Sequence, residues 1–219
     1  MLLRLIGIAV VAGFLFVLAW YFWFRRCNRR KAAEVLRWVE LAFHGRGRVA
    51  GVRWLSASSF QARLRLSPSG FRRAFLKVRL LPREMPVLWL VGRTRGQQET
   101  VTFQADLDSP PNFDLEVHNH RWYGRTRRHT PRKSEDWTMQ PVGPFVLTTR
   151  NDWQREITSM MSALVASREC DCSTVCFRRA SPQFSVTVPL ESITPTSQTQ
   201  TEIFDVLREL AAGASTARF

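Results

Sequence analysis

The chain has 219 residues, 45% of them hydrophobic and 23% charged, with 32 Lys and Arg against 18 Asp and Glu, a net charge of +14. Four unevenly spaced cysteines exclude a secreted disulfide framework and point to reduced thiols in a cytosol, while the length suits one domain or two small ones sharing a core. The charge is lopsided: residues 25–133 hold 24 basic against 8 acidic side chains, or +16, and residues 134–219 hold 7 against 10, or −3. All but three of the basic residues are Arg, which suits phosphate or carboxylate recognition and is equally the product of a biased base composition.

Residues 5–24, LIGIAVVAGFLFVLAWYFWF, are an unbroken apolar run, and 1–24 is read as a transmembrane anchor. Twenty helical residues rise about 30 Å, the thickness of a bilayer's hydrocarbon core. Twelve of the twenty are Leu, Ile, Val or Phe, and no charge inside the run opposes insertion. Trp20, Tyr21 and Trp23 gather at its C-terminal end, where amphipathic rings favour the headgroup layer. A cleaved signal peptide fits less well, because the run closes on Trp-Phe-Arg-Arg and lacks a small-residue cleavage site. Arg25, Arg26, Arg29, Arg30 and Lys31 follow at once, against Arg4 and the amino terminus on the other side. By the positive-inside rule this block is the topology determinant of a single-pass cell-membrane protein whose C-terminal domain is cytoplasmic.

Residues 25–45 form a juxtamembrane amphipathic helix, with Ala32, Val35, Leu36, Val39 and Phe43 on one face and Arg37 and Glu40 off it. Neither Pro nor Gly lies between Phe14 and His44, which allows one continuous helix; Asn28 alternatively caps a separate second one.

Residues 46–122 read as an antiparallel β-rich subdomain. Apolar residues alternate with polar ones at Phe60, Ala62, Leu64 and Leu66, at Ala74, Leu76, Val78 and Leu80, and at Val101, Phe103, Ala105 and Leu107, the period of half-buried strands. Short turn-like connections suggest a meander, with a strand at 49–55 before it and one at 113–117 closing it. The run 87–91, VLWLV, does not alternate and is expected to be a strand buried on both faces or packed against the helix. Residues 123–144 are a basic, Pro-rich loop, the Pro141, Gly143, Pro144 spacing marking a boundary.

Residues 145–213 are expected to form a C-terminal α/β subdomain, a β-α-β-β-α unit, before a tail at 214–219. Asn151 and Gln154 cap its first helix; strands at 174–178 and 184–190 pair across Ala180-Ser181-Pro182. Thr199 and Glu202 make a capping box for a last helix burying Ile203, Phe204, Leu207 and Leu210 and ending at Gly213. The fold class is therefore α+β: one N-terminal transmembrane helix, then an antiparallel sheet with packed helices.

Two basic clusters are candidate contacts for anionic lipid or nucleic acid. Arg63, Arg65, Lys77 and Arg79 lie on the outward faces of adjacent strands, where like charges opposite one another repel unless something anionic or a neighbouring Asp or Glu covers them. Arg121, Arg125, Arg127, Arg128, Arg132 and Lys133 interleave with Trp122 and Tyr123, a pattern for phosphate contact with stacking; a solvated loop has the same composition. His118 and His120 beside Glu116, and Cys170, Cys172 and Cys176, fall short of metal-ligand spacings, so a surface strand and ordinary thiols are the plainer readings. No nucleophile elbow or phosphate loop is present, no cofactor or metal is called for, and no catalytic residue is assigned. The chain reads as a membrane-anchored, non-enzymatic protein binding an unidentified protein partner or an anionic lipid surface. A membrane-tethered nucleic-acid binder and a metal-dependent enzyme are the alternatives.

Overall fold

The computed structural model describes residues 1–43, 47–66, 70–119, 137–142, 145–150, 172–193, 205, 207–209 and 211–212. Helix α1 runs unbroken from Leu2 to Ala42, 41 residues, long and apolar enough to cross a membrane. Its first half is bare: Leu5, Ile6, Ile8, Val11, Phe14, Phe16 and Val17 are all exposed. From Asn28 onward one stripe of the same helix, Asn28, Ala32, Val35, Val39, Ala42 and Phe43, is buried. The spacing of three and four residues keeps that stripe on one face. One helix thus serves as apolar span and as core element, and Asn28 sits inside it rather than capping a second helix.

Among the described residues the sheet has nine strands in the order β1-β2-β3-β4-β9-β8-β5-β7-β6, every pairing antiparallel. The strands are β1 (Gly47–Ser56), β2 (Ser59–Leu66), β3 (Phe71–Arg79), β4 (Thr100–Leu107), β5 (Leu115–Asn119), β6 (Trp137–Val142), β7 (Phe145–Arg150), β8 (Thr174–Phe177) and β9 (Phe184–Pro189). The alternating residues of β2, β3 and β4 line the inner face, and α1's buried stripe joins them in one core with Phe177, Phe184 and Val186. Phe43 stacks on Phe103 at 6.3 Å between ring centres, Phe103 meets Phe184 at 6.1 Å, and Phe184 meets Phe177 at 5.0 Å. Fully burying such a side chain stabilises the fold by about 1.5–3 kcal/mol, so a charge at Val39 would undo the docking of the helix.

The meander expected from the turns holds for β1 to β4 but is not closed by 113–117. β9 occupies that place against β4, and β5 lies two strands further on, between β8 and β7. The expected hairpin between 174–178 and 184–190 is present as β8 and β9. β6 falls where a loop and boundary were expected; it carries Pro141 at the edge of the sheet, where a missing N–H costs no ladder bond.

The run 87–91 is not a strand. Residues Pro86–Thr94 form helix α2, with Pro86 in the first turn, where its fixed φ and absent N–H are tolerated. Far from being buried, Val87 is 73% exposed, Leu88 52% and Leu90 57%.

α1 and the strands of the meander lie alongside one another. The Asn28 amide is 3.5 Å from the carbonyls of Ala57, between β1 and β2, and of Leu81, just past β3. About four turns further on, the Phe43 carbonyl accepts the Gly47 N–H at the opposite end of β1, 3.0 Å away. The helix proposed for 151–165 lies outside the described residues. Of the last helix, Asp205, residues 207–209 and residues 211–212 are helical, with Leu207 and Ala211 buried in the core.

Candidate functional site

Three contacts cluster where α1 leaves its apolar stretch, and they fasten it to the chain between β3 and β4. The Trp20 indole Nε1 donates to the carbonyl of Arg83 at 3.0 Å. Asn28, fully buried, donates from Nδ2 to Glu84 Oε2 at 3.0 Å. Lys31 pairs with Glu99, whose other oxygen takes Arg83 Nη2 at 3.0 Å and the Leu81 N–H at 3.2 Å. Glu99 is buried and paired with one cation from α1 and one from the segment after β3, which offsets the cost of taking its carboxylate out of water. Of the expected topology block, Lys31 is drawn into this clasp. Arg25 lies over the Tyr21 ring at 6.0 Å, Arg29 over the Trp54 ring at 5.9 Å, and Arg26 and Arg30 are exposed. A cavity of about 160 Å³ opens between these two cation–ring pairs.

The outward face of the meander is basic. Arg63, Arg65, Lys77 and Arg79 all project from it and are exposed, joined by Arg48, Arg53 and Arg73. Arg73 shares the period of two that exposed Lys77 and Arg79, whereas Arg48 and Arg53, five residues apart, reach one face through the irregularity between Val49 and Gly51. Across β1 to β4 the one acid at a described outward position is Asp106, which faces Arg73 and accepts the Ser181 hydroxyl at 2.7 Å. The register corrects the expected opposition of like charges between β2 and β3: Arg63 faces Phe75, Lys77 faces Gln61 and Arg79 faces Ser59. Among the described residues of β1 to β4, the one direct cation–cation pair is Arg48 with Arg65. Arg121, Trp122, Tyr123, Arg125, Arg127, Arg128, Arg132 and Lys133 lie outside the described residues.

The outward face of β5, β7 and β8 differs: it is buried at His118, Thr148 and Cys176 and half-buried at Glu116 and Thr174. His118, expected on a surface strand, is 2% exposed. Its Nε2 is 3.3 Å from Glu116 Oε1, and its Nδ1 is 3.4 Å from the Thr174 hydroxyl. Cys176, opposite Glu116 across the β5–β8 pair, points its thiol at the same Glu116 oxygen, 3.7 Å away. A hydrogen bond from His118 holds the Glu116 carboxyl below its ordinary value of 4.5, against the opposing effect of burial. Burial, reinforced by the Glu116 charge, pushes the Cys176 thiol up to about 12. A thiol that high stays protonated at neutral pH and is no nucleophile. Among the described residues, no three His, Cys, Asp or Glu side chains are arranged to hold a metal ion. His120 and Cys170 are outside the described residues, and Cys172 is buried. The cluster is a cross-strand polar network whose parts are 60 residues apart in sequence, which is why spacing did not reveal it.

No protein-family model matches the chain, and no curated protein matches it. Among solved structures it is similar to the crystal structure of the mycobacterial trehalose monomycolate transport factor A, TtfA, at 8% identity, over 70% of each chain and with a TM-score of 0.39.

Proposed function

We propose that the chain is a single-pass, non-enzymatic membrane protein that recruits an acidic protein partner through the basic face of its sheet. The observation that carries this is the direction of that face. α1 enters the core as one piece and the meander strands lie along it, so a span that crosses the bilayer makes the strands stand away from the lipid. Six residues of β3 separate Arg79 from Arg73, about 20 Å at strand rise. Headgroup charge is screened within about 8 Å at physiological salt, so the upper cations of such a wall have no lipid to meet. Seven exposed cations with one acid among them favour an anionic macromolecule, and their steering would speed its arrival. The cations and rings of 121–133 are candidate contacts for the same partner on composition alone. The block Arg25, Arg26, Arg29, Arg30 and Lys31 supports a cytoplasmic domain.

Full-length protein purified from native membranes, with and without Arg63→Glu and Lys77→Glu together, tests the reading. A partner that co-purifies with the wild type and is lost from the variant at unchanged thermal stability supports it. A partner set unaffected by the reversal overturns it, and one released by nuclease moves the reading to nucleic acid. A reporter fused at Phe219 that is active only outside the cytoplasm would overturn the sidedness.

A further inference from the structure

We propose that α2 is an interfacial helix that lies in the headgroup-to-acyl boundary of the bilayer α1 crosses, giving the domain a second membrane contact. The inference rests on α1 crossing the bilayer and is independent of the acidic partner. Three observations carry it.

The first is depth. Arg83, three residues before α2, receives the Trp20 N–H at 3.0 Å, and Trp20 belongs to the apolar run, more than a turn below the first Arg that closes it. The segment entering α2 is therefore level with the last apolar turns of the span. The second is which side faces out. Gly92 is buried, and a Cβ there would stand 2.9 Å from Gln97 Oε1 and 3.7 Å from a Leu81 methyl, so the helix rests on its own domain at Gly92, near its C-terminal end. Val87, Leu90 and Val91 lie round the opposite side at helical spacing. They are exposed, as are Leu88 and the preceding Met85. In water this would be an unsupported apolar strip on a nine-residue helix; at the level of the apolar run of α1 it has lipid to meet.

The third is the rim. Arg93 sits over the Trp89 ring at 5.6 Å, and Arg95 follows, so the C-terminal end of α2 offers cations where phosphates lie. Tyr21 with Arg25 and Trp54 with Arg29 repeat the pairing on α1 and β1. Aromatic rings from three separate elements thus gather around the exit of one span, as a belt at a membrane interface does.

The test uses full-length protein in lipid nanodiscs, with an environment-sensitive fluorescent amino acid placed singly at Leu90, at Val11 within the span, or at Arg63 on the sheet. Lipids brominated near the top of their acyl chains should quench the Leu90 probe several-fold more than the Arg63 probe, and aqueous iodide should do the reverse. A Val11 probe quenched by bromine with a Leu90 probe open to iodide overturns the proposal alone, and with no other protein in the disc it leaves the strip to a protein partner. A Val11 probe that bromine does not reach removes the anchor and this inference with it. As a second variant, Val87→Asp with Leu90→Asp and the probe at Thr94 should lose bromine quenching; quenching that persists overturns the proposal.

Discussion

Asn28 and Glu84 meet in a 3.0 Å hydrogen bond at a point where the helix residue is fully buried and Glu84 nearly so. A buried carboxylate deprived of its donor carries its full desolvation cost. Asn28→Ala should therefore destabilise the protein by about 1–3 kcal/mol, far more than an alanine on the exposed side of the same helix, Glu34→Ala, which should be near neutral. Thermal unfolding of both variants in the same detergent decides it; equal midpoints would mean the bond contributes nothing.

Glu99 holds Lys31 and Arg83 together, so Glu99→Gln keeps an acceptor for the Leu81 N–H but leaves two cations facing each other. Both are partly open to solvent, which lowers the expected loss from the fully buried range to about 2 kcal/mol. Proteolysis should then cut sooner between β3 and β4, the stretch that Glu99 ties to α1.

Glu116 titrates lower in the folded protein than its ordinary 4.5, with His118, Cys176 and Arg178 the groups that face it. The unfolded chain therefore takes up the proton first as pH falls. The stabilisation is complete above about 4.5 and is lost as pH drops through the folded value. The midpoint of thermal unfolding should fall more steeply below pH 5 in the wild type than in Glu116→Gln; parallel curves would contradict the linkage.

Cys176 should resist maleimide at neutral pH until the protein unfolds, because its thiol is both buried and raised to about 12. Mass spectrometry of labelled peptides, native against denatured, reads this site by site. Rapid native labelling at Cys176 would mean that the face of β5 and β8 opens.

The strands β2, β3 and β4 were legible because each has one face on the core and one in water, and that asymmetry is written as alternation. The run Val87-Leu88-Trp89-Leu90-Val91 was misread for the same reason. Alternation is absent both from a strand covered twice and from a helix whose apolar side is left outside; the short length favoured the strand, and only Pro86 hinted at the helix. β6 hid behind Pro141, which reads as a breaker unless the strand is known to be an edge.

Of the candidate site, the outward Arg and Lys of β2 and β3 could be read from period alone, but their partners could not, since register is set by which strand lies alongside. The Ser109-Pro110 turn suggested β5 next to β4, whereas β9, nearly eighty residues later, takes that place. Asn28 with Glu84 and Glu116 with Cys176 are likewise products of the fold, invisible to any local window.

Because α1 has no break between its apolar half and its buried half, the protein has no wrist. A span that meets a thinner bilayer answers by tilting, and here the sheet must tilt with it. Some 18 helical residues beyond the lipid make a lever of about 27 Å, so a tilt of 10° moves its far end by about 5 Å. Bilayer thickness thereby becomes a mechanical input to the domain.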